Sequence, residues 1–267
     1  MGKFDHLDAE GVIKEKQRVG FLDMLRGVCV LLMVVYHGLY ILSQFFTVGQ
    51  AFGERWYNTL QPAQAVVASI FIMISGFSAT LSSKPKLRGW LLASVALGFS
   101  LVTILILPLF GFQNTAIWFG ILHLLACGKL LYAFGEKIFS KIPGFIGLII
   151  CLFLFFFTAP VGQQFFGILG TLRINLPAAL YNSDVLFFLG IKSSSFVSWD
   201  YFPLLPWLFL FFFGVFAGKM VSRNDLPEYC YRDRPFLGLV GRIALPVYIL
   251  HVPVLYVLFS LVERLAG

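Results

Sequence analysis

Three histidines could carry out chemistry because each lies inside a long apolar stretch of the chain. His37 follows LDMLRGVCVLLMVVY, His123 lies within IWFGILHLLACGKLL, and His251 lies within GRIALPVYILHVPVLY. The chain contains four histidines in all, so most of its imidazole groups are in apolar surroundings. An imidazole removed from water stays neutral near pH 7 and can accept a proton from a reacting group. The pattern therefore predicts proton-transfer chemistry at these positions.

Two arginines precede these histidines at spacings that helix geometry can interpret. Arg26 precedes His37 by eleven residues, which is three helical turns to within about 20 degrees, so both side chains share one helix face. His37 is then about 16 Å farther along the helix than Arg26. Arg242 precedes His251 by nine residues on a stretch predicted to enter from the same side, and His123 approaches from the opposite side. We expect the three histidines to converge on one cavity.

Simpler structural roles must be weighed against these functional ones. A lone histidine in a membrane helix usually makes an interhelical hydrogen bond. Asp23 and Arg26, three residues apart, can form an ordinary ion pair at the end of the first helix. A stretch of small residues has the spacing that marks helix packing rather than catalysis, namely Ser75, Gly76, Ala79 and Thr80. The functional hypothesis is favoured most for His37, because its helix face also carries Arg26.

The composition sets the class of protein that must position these side chains. Of 267 residues, 59% are apolar and 12% are charged, and 31 are phenylalanine. The mean hydropathy is +0.86. Soluble domains average about 45–50% apolar and about 25% charged residues, so a soluble protein is excluded. We predict an all-α, polytopic transmembrane bundle without a separate soluble domain, and we interpret the four cysteines as small apolar fillers rather than disulfides or metal ligands.

The apolar runs and the residues that interrupt them predict seven membrane spans. These lie near 21–45, 58–82, 89–110, 115–135, 142–161, 200–221 and 236–262. The stretch 162–199 is apolar but interrupted, and we interpret it as a re-entrant or interfacial hairpin. The predicted organisation is a cytoplasmic N-terminal segment, residues 1–20, followed by one transmembrane domain, residues 21–263. The acidic residues of the first segment argue against a cleavable signal peptide.

The distribution of lysine and arginine predicts the orientation. With the N-terminus inside, the outer segments hold only Arg55, Arg173, Lys192 and Arg264, and the inner segments hold the larger basic group of Lys3, Lys14, Lys16, Arg18, Lys84, Lys86, Arg88, Lys129, Lys137, Lys141, Lys219, Arg223, Arg232 and Arg234. Basic residues concentrate on the cytoplasmic side of membrane proteins. We therefore predict a multi-pass protein of the cell membrane with a cytoplasmic N-terminus and an outer C-terminus. The +7 net charge is explained by this topology, without a nucleic-acid partner.

Five blocks of sequence resemble a known family when taken in order. They are LDMLRGVCVLLMVVYHGLY, FIMISGFSATLS, FGILHLLA, DYFPLLPWLFLFFFGVFAGK and GRIALPVYILHVPVLY. They are similar to blocks of the small bacterial proteins related to the catalytic domain of heparan-alpha-glucosaminide N-acetyltransferase. The spacing of Arg26 and His37 also resembles the first-helix signature of type 3 membrane acyltransferases. The resemblance extends from Leu22 to Tyr256.

The resemblance implies a function and assigns residues to it. It implies transfer of an acyl group, usually acetyl, from acyl-CoA to a sugar or another amine or hydroxyl acceptor, with an intramembrane histidine as base or acyl carrier. His37 and Arg26 match the signature, and His123 and His251 match blocks typical of the small bacterial members. The chain is shorter than the sugar acetyltransferase, so residues that recognise the acceptor are not carried over.

The donor is expected where basic residues concentrate. Acyl-CoA is a cytosolic co-substrate whose nucleotide carries phosphates, and arginine binds phosphate through a planar fork of donors. We therefore expect donor-binding residues on the inner side, namely Arg26, Arg242, Lys84, Lys86 and Arg88. The last three alternatively serve only as topology determinants. The expected partners are membrane lipid, acyl-CoA and a carbohydrate or other small acceptor, and a homo-oligomer is not excluded.

Two functions of other classes remain open from the residues alone. Three histidines at membrane depth could ligate haem or a metal in an electron carrier, although no paired spacing on a shared helix supports this. Pro246 and Pro253 near a buried histidine could instead belong to a proton-coupled transporter, although no inverted repeat is visible. We predict neither a metal nor a haem cofactor.

Overall fold

The fold is mostly helical, and a computed structural model describes residues 18–168, 172–221, 226–232 and 234–266. Within these residues, five helices are long and apolar enough to cross a membrane: Gly20–Phe45, Gln50–Thr80, Pro85–Phe110, Gly144–Gln163 and Ala244–Ala266. Leu204–Met220 is a shorter apolar helix. The helical membrane class is thus confirmed, and the count of seven spans and the N-terminal orientation stay predictions. Most of the predicted N-terminal segment lies outside the described residues.

The chain forms two compact units. Among the described residues, the first comprises 18–61 together with 226–232 and 234–266, and the second comprises 62–168 and 172–221. Helix α2, Gln50–Thr80, runs through the boundary at Pro62.

In the first unit, helix α1 (Gly20–Phe45) packs against two helices from the end of the chain, α7 (Pro235–Arg242) and α8 (Ala244–Ala266). A Cβ at Gly27 would overlap the Leu237 carbonyl oxygen, and a Cβ at Gly241 would overlap the Asp23 carbonyl oxygen. Because Leu237 opposes Gly27 whereas Gly241 opposes Asp23, α7 runs antiparallel to α1. The two glycines allow the backbones to approach closely, as small residues do in membrane helix pairs.

Helix α8 runs parallel to α1. Its residue Glu263 accepts hydrogen bonds at Oε1 from the backbone N–H and the hydroxyl of Thr47, at 2.8 and 2.7 Å, just beyond the end of α1. Earlier in the same two helices, Gly38 lies against Leu255. The second halves of α1 and α8 are therefore fixed side by side.

The prediction of one continuous span over 236–262 is wrong. Helix α7 ends at Arg242, and Ile243 (φ −100°, ψ 23°) separates it from α8. Pro246 supplies the physical reason, because proline has no N–H to donate to the Arg242 carbonyl and its ring would collide with that oxygen in a continuous helix. In the first turn of α8 the missing donor is tolerated. Arg242 and His251 consequently lie on different helices.

In the second unit, α3 (Pro85–Leu101) pairs with α4 (Ile121–Lys141), and α5 (Gly144–Thr158) pairs with α6 (Leu204–Met220). Within the predicted small-residue stretch, Gly76 touches α6, since a Cβ there would overlap the Phe211 carbonyl oxygen. At the end of the same stretch, Thr80 lies against Gly218 of α6. This stretch therefore contributes to helix packing.

The structure also describes the interrupted segment 162–199 and the four cysteines. The segment 162–199 contains an antiparallel strand pair, β1 (Phe165–Ile168) and β2 (Leu172–Asn175), which the all-α prediction did not anticipate. Its location relative to a membrane stays a prediction. The four cysteines are unpaired thiols, and three of them, Cys29, Cys151 and Cys230, are buried.

Candidate functional site

The structure brings two of the predicted histidines together. His37 of α1 and His251 of α8 have ring centres 5.0 Å apart, with the ring planes inclined at 58°. His251 is 8% exposed and His37 is half-buried. Their meeting follows from the parallel packing of α1 and α8, which sets the two rings at the same level of the first unit.

Hydrogen bonds determine which nitrogen of each ring carries the proton. His37 Nδ1 is 3.0 Å from the Met33 carbonyl oxygen, and His251 Nδ1 is 2.6 Å from the Tyr248 carbonyl oxygen. A carbonyl oxygen only accepts, so each Nδ1 is assigned the hydrogen. In a neutral ring Nε2 is then an acceptor with a lone pair. The two rings are thus anchored alike and present two proton acceptors.

His251 Nε2 is buried and has no hydrogen-bond partner within the part of the chain that the structure describes. Leaving a buried polar atom without a partner costs about 1–3 kcal/mol, and such atoms are rare in folded proteins. A buried imidazole nitrogen without a protein partner, next to a second imidazole, is therefore a candidate for a functional role.

Tyrosines surround the pair. The Tyr36 ring centre is 5.7 Å from that of His37, and the Tyr248 ring centre is 5.8 Å from that of His251. Tyr57 of α2 in turn contacts Tyr36 and Tyr40, at 5.0 and 5.3 Å between ring centres. Aromatic side chains from three helices therefore pack around the histidine pair.

An ionic cluster lies at the start of α1. Asp23 is 7% exposed and accepts from Arg26 at 3.0 Å and from Arg18 at 2.5 Å. The side chain of Arg26 is 19% exposed and that of Arg18 is 62% exposed. Two arginines share one carboxylate, so these three side chains together carry a net positive charge. Arg242 belongs to the same end of the unit, because the preceding residue, Gly241, touches Asp23.

Helical spacing in the sequence indicated Asp23 and Arg26, but not Arg18, as members of this cluster. Arg18 lies before the helix, where helical spacing rules do not apply, and only the extended backbone of Val19 brings it back to Asp23. Asp23 itself was the available signal for Arg18. A carboxylate in the first turn of a helix interacts favourably with the helix N-terminus and also attracts basic side chains close by.

His123 lies in the second unit, where it caps α4. Its Nδ1 accepts from the Gly120 N–H at 3.2 Å, its Nε2 is 3.2 Å from the Ser100 hydroxyl, and that hydroxyl donates to the Ile117 carbonyl at 2.6 Å. Since Ser100 has used its hydrogen on the carbonyl, Nε2–H is the donor to Ser100. Both nitrogens of neutral His123 are therefore occupied. The prediction that His123 shares a cavity with the other two histidines stays a prediction.

Asp200 also supports this helix start and was not singled out from the sequence. Its Oδ2 accepts from the Ile121 N–H at 2.9 Å, which satisfies one of the donors left open at a helix N-terminus. Nearby loops line an open pocket of about 580 Å³, and its lining includes Trp118, Asp184, Phe187 and Phe196.

The predicted donor-binding residues Lys84, Lys86 and Arg88 are exposed at the start of α3, in the second unit. Lys86 Nζ lies 5.1 Å from the centre of the Phe134 ring on α4, a cation–π contact. No group of three or more His, Cys, Asp or Glu side chains lies together as metal ligands among the residues that the structure describes.

Comparison with known proteins identifies one family. The model described as heparan-alpha-glucosaminide N-acetyltransferase, catalytic, matches residues 18–253, which is most of the chain. The match includes every residue of the histidine pair and of the ionic cluster. No curated protein and no solved structure matches the chain.

Proposed function

Since the chain belongs to the heparan-alpha-glucosaminide N-acetyltransferase catalytic-domain family, we propose that it transfers an acyl group, acetyl in the first instance, from cytosolic acyl-CoA to an amine or hydroxyl acceptor such as a sugar. The observation that supports this most directly is the pair of unprotonated Nε2 atoms on His37 and His251. An acyl transfer of this kind needs a proton acceptor at the nucleophile.

His37 is proposed as that acceptor. Its Nε2 takes the proton as the amine or hydroxyl attacks the thioester carbonyl, the carbon–sulfur bond breaks, and the CoA thiolate recovers a proton from the imidazolium. The alternative is that His37 carries the acyl group in a covalent intermediate, and the same unprotonated Nε2 would be the nucleophile. Both routes require the Nδ1 hydrogen bond to Met33 that keeps Nε2 unprotonated.

The donor is proposed to dock at the ionic cluster. Arg26 is positioned by its ion pair with Asp23, and the planar fork of a guanidinium suits phosphate. Arg26 and His37 are eleven residues apart on α1, about 16 Å along the helix axis. The pantetheine arm of CoA would span this distance. Arg242, which belongs to the same unit, is proposed as a second contact. For Lys84, Lys86 and Arg88, which belong to the other unit, donor binding stays a prediction from the sequence.

The test uses purified protein in lipid nanodiscs with radiolabelled acetyl-CoA and a panel of amines, alcohols and sugars. We expect a labelled product and one equivalent of free CoA thiol per transfer. Monodisperse protein that binds CoA esters but acylates no acceptor in the panel would contradict the proposal. Hydrolysis of acetyl-CoA without an acceptor serves as the background measurement.

A further inference from the structure

The nitrogen of His251 that has no partner belongs to a ring that packs beside the ring of His37. His251 Nε2 is buried and lacks a partner among the described residues, while the ring of His37 lies 5.0 Å away, centre to centre, with its own Nε2 assigned as an acceptor. Two acceptors cannot satisfy each other, because a hydrogen bond needs a donor. The pair therefore lacks one hydrogen.

The spacing of the ring centres is compatible with that hydrogen bond. Each imidazole nitrogen lies about 1.1 Å from its ring centre, so an N–H···N bond of about 2.9 Å needs centres about 5 Å apart and the two Nε2 atoms on facing edges. The centres are 5.0 Å apart and no hydrogen bond joins the two rings in the unprotonated pair, so formation of the bond includes a rotation of the rings that brings the two Nε2 atoms together. Both Nδ1 atoms are bonded to main-chain carbonyls of their own helices, so neither ring can offer Nδ1–H to the other without losing its anchor.

We propose that His37 and His251 form one proton-binding site, which holds a single proton between the two Nε2 atoms and excludes a second. Protonation of either Nε2 creates the donor that the other accepts, so the first proton satisfies the orphaned nitrogen of His251. A second proton would remove the remaining acceptor and set two positive charges against each other at the same buried site.

The role of this site in catalysis rests on the proposed acyl transfer. The acceptor's proton moves to the pair as its nitrogen or oxygen bonds to the acyl carbon, and the proton moves from the pair to the CoA thiolate as the carbon–sulfur bond breaks. The pair ends each cycle with the protons it had at the start. His251 thus acts as a positioning residue that stabilises the protonated form of His37.

The other ionisable side chains near the pair are tyrosines, so the two histidines are the groups that change charge in the pH range of the experiment. Tyr36 and Tyr40 on α1, Tyr57 on α2 and Tyr248 on α8 are the nearest titratable side chains that the described contacts show. Tyrosine side chains in general ionise only above the pH range in which histidine side chains titrate. The ionic cluster is eleven or more residues away along α1, and Glu263 is twelve residues beyond His251 along α8.

The experiment is ¹⁵N NMR of protein labelled at histidine nitrogens, in nanodiscs, followed from alkaline to acidic pH. Signals are assigned with His37→Gln, His251→Gln and His123→Gln. The expected result is a single step in which the Nε2 signals of His37 and His251 shift together and the pair gains one proton. Two independent steps, with a gain of two protons, would overturn the proposal, and the wild-type protein alone gives this answer if a variant fails to fold.

Two further substitutions separate hydrogen bonding from bulk at position 251. His251→Gln keeps an acceptor for the proton on His37, whereas His251→Leu does not. We expect the midpoint of His37 protonation to move to lower pH by about one unit in His251→Leu, which is the effect of losing one hydrogen bond to a charged group, and by less in His251→Gln. Equal midpoints in all three proteins would overturn the shared site. Since these readouts do not use turnover, joint titration without acyl transfer would reject the proposed function and retain the pair.

Discussion

Replacement of His37 with Gln is expected to remove turnover while leaving the fold and donor binding intact. Gln retains hydrogen-bonding groups and similar bulk but has no basic nitrogen. A positioned general base contributes about 10²–10⁴ in rate, so the activation barrier should rise by about 3–5 kcal/mol. The structural cost is smaller, because the substitution removes one neutral hydrogen bond to the Met33 carbonyl, which contributes about 1 kcal/mol.

The assay compares wild type, His37→Gln and Ser260→Ala in nanodiscs at saturating acetyl-CoA. Ser260 is the matched control, since its hydroxyl also bonds a carbonyl of its own helix, that of Tyr256 at 2.8 Å, but lies nine residues beyond His251. CoA-ester binding is measured by thermal shift in each protein, where a ligand at 100 times its dissociation constant adds about 2.7 kcal/mol. We expect turnover to fall only in His37→Gln.

The outcomes discriminate between the histidines. Normal turnover in folded His37→Gln would refute the assignment of His37 as the base. Transfer that survives in His37→Gln but disappears in His251→Gln would assign that role to His251 instead. We expect a smaller loss in His251→Gln than in His37→Gln, because His251 does not share a helix face with an arginine. Full activity in both variants and in His123→Gln would refute a catalytic role for all three.

Four further predictions address donor binding, packing, capping and topology. Arg26→Lys keeps the charge but loses the planar fork, so CoA-ester affinity should fall while the melting temperature changes little; unchanged affinity would leave Arg26 with a structural role beside Asp23. Gly27→Ala should destabilise the fold by about 1–3 kcal/mol, because its Cβ would meet the Leu237 carbonyl oxygen, whereas Gly98→Ala has nothing within 4 Å and should be neutral or stabilising in the same melting experiment. His123→Ala should cost about 1–3 kcal/mol, since it leaves the Gly120 N–H without its acceptor, and an unchanged melting temperature would contradict the capping role. Single cysteines placed at residues 84–88 should react with impermeant reagents only from the cytoplasmic side, and labelling from outside would reverse the predicted orientation.

Local sequence rules accounted for the class of the protein and for part of the site. Apolar composition leads to membrane helices because every backbone polar group in lipid must be satisfied within the segment. Helical periodicity predicted the common face of Arg26 and His37 and the proximity of Asp23 to Arg26, since all three residues lie on one helix. The family was also recognisable, because its blocks appear in order along the chain.

Interactions between distant parts of the chain were outside the reach of these rules. The break at Ile243 had a local signal in Pro246, but continuous hydropathy across 236–262 masked it. That break allows α7 to run antiparallel to α1 and α8 to run parallel to it, and so sets His251 beside His37. The Ser100 and Asp200 hydrogen bonds around His123 and the first turn of α4 join residues 23 and 79 positions apart.

By itself the sequence determined that the protein is a helical membrane bundle of this family, with an arginine and a histidine on one face of its first helix. These properties depend on composition, on the order of the blocks and on the geometry of a single helix. Only the tertiary structure decided which histidines meet and which nitrogen of each is unprotonated. The tautomer depends on where neighbouring carbonyl and amide groups lie in space. His123 therefore acquired two partners, whereas the buried Nε2 of His251, whose ring lies beside that of His37, was left without one among the described residues.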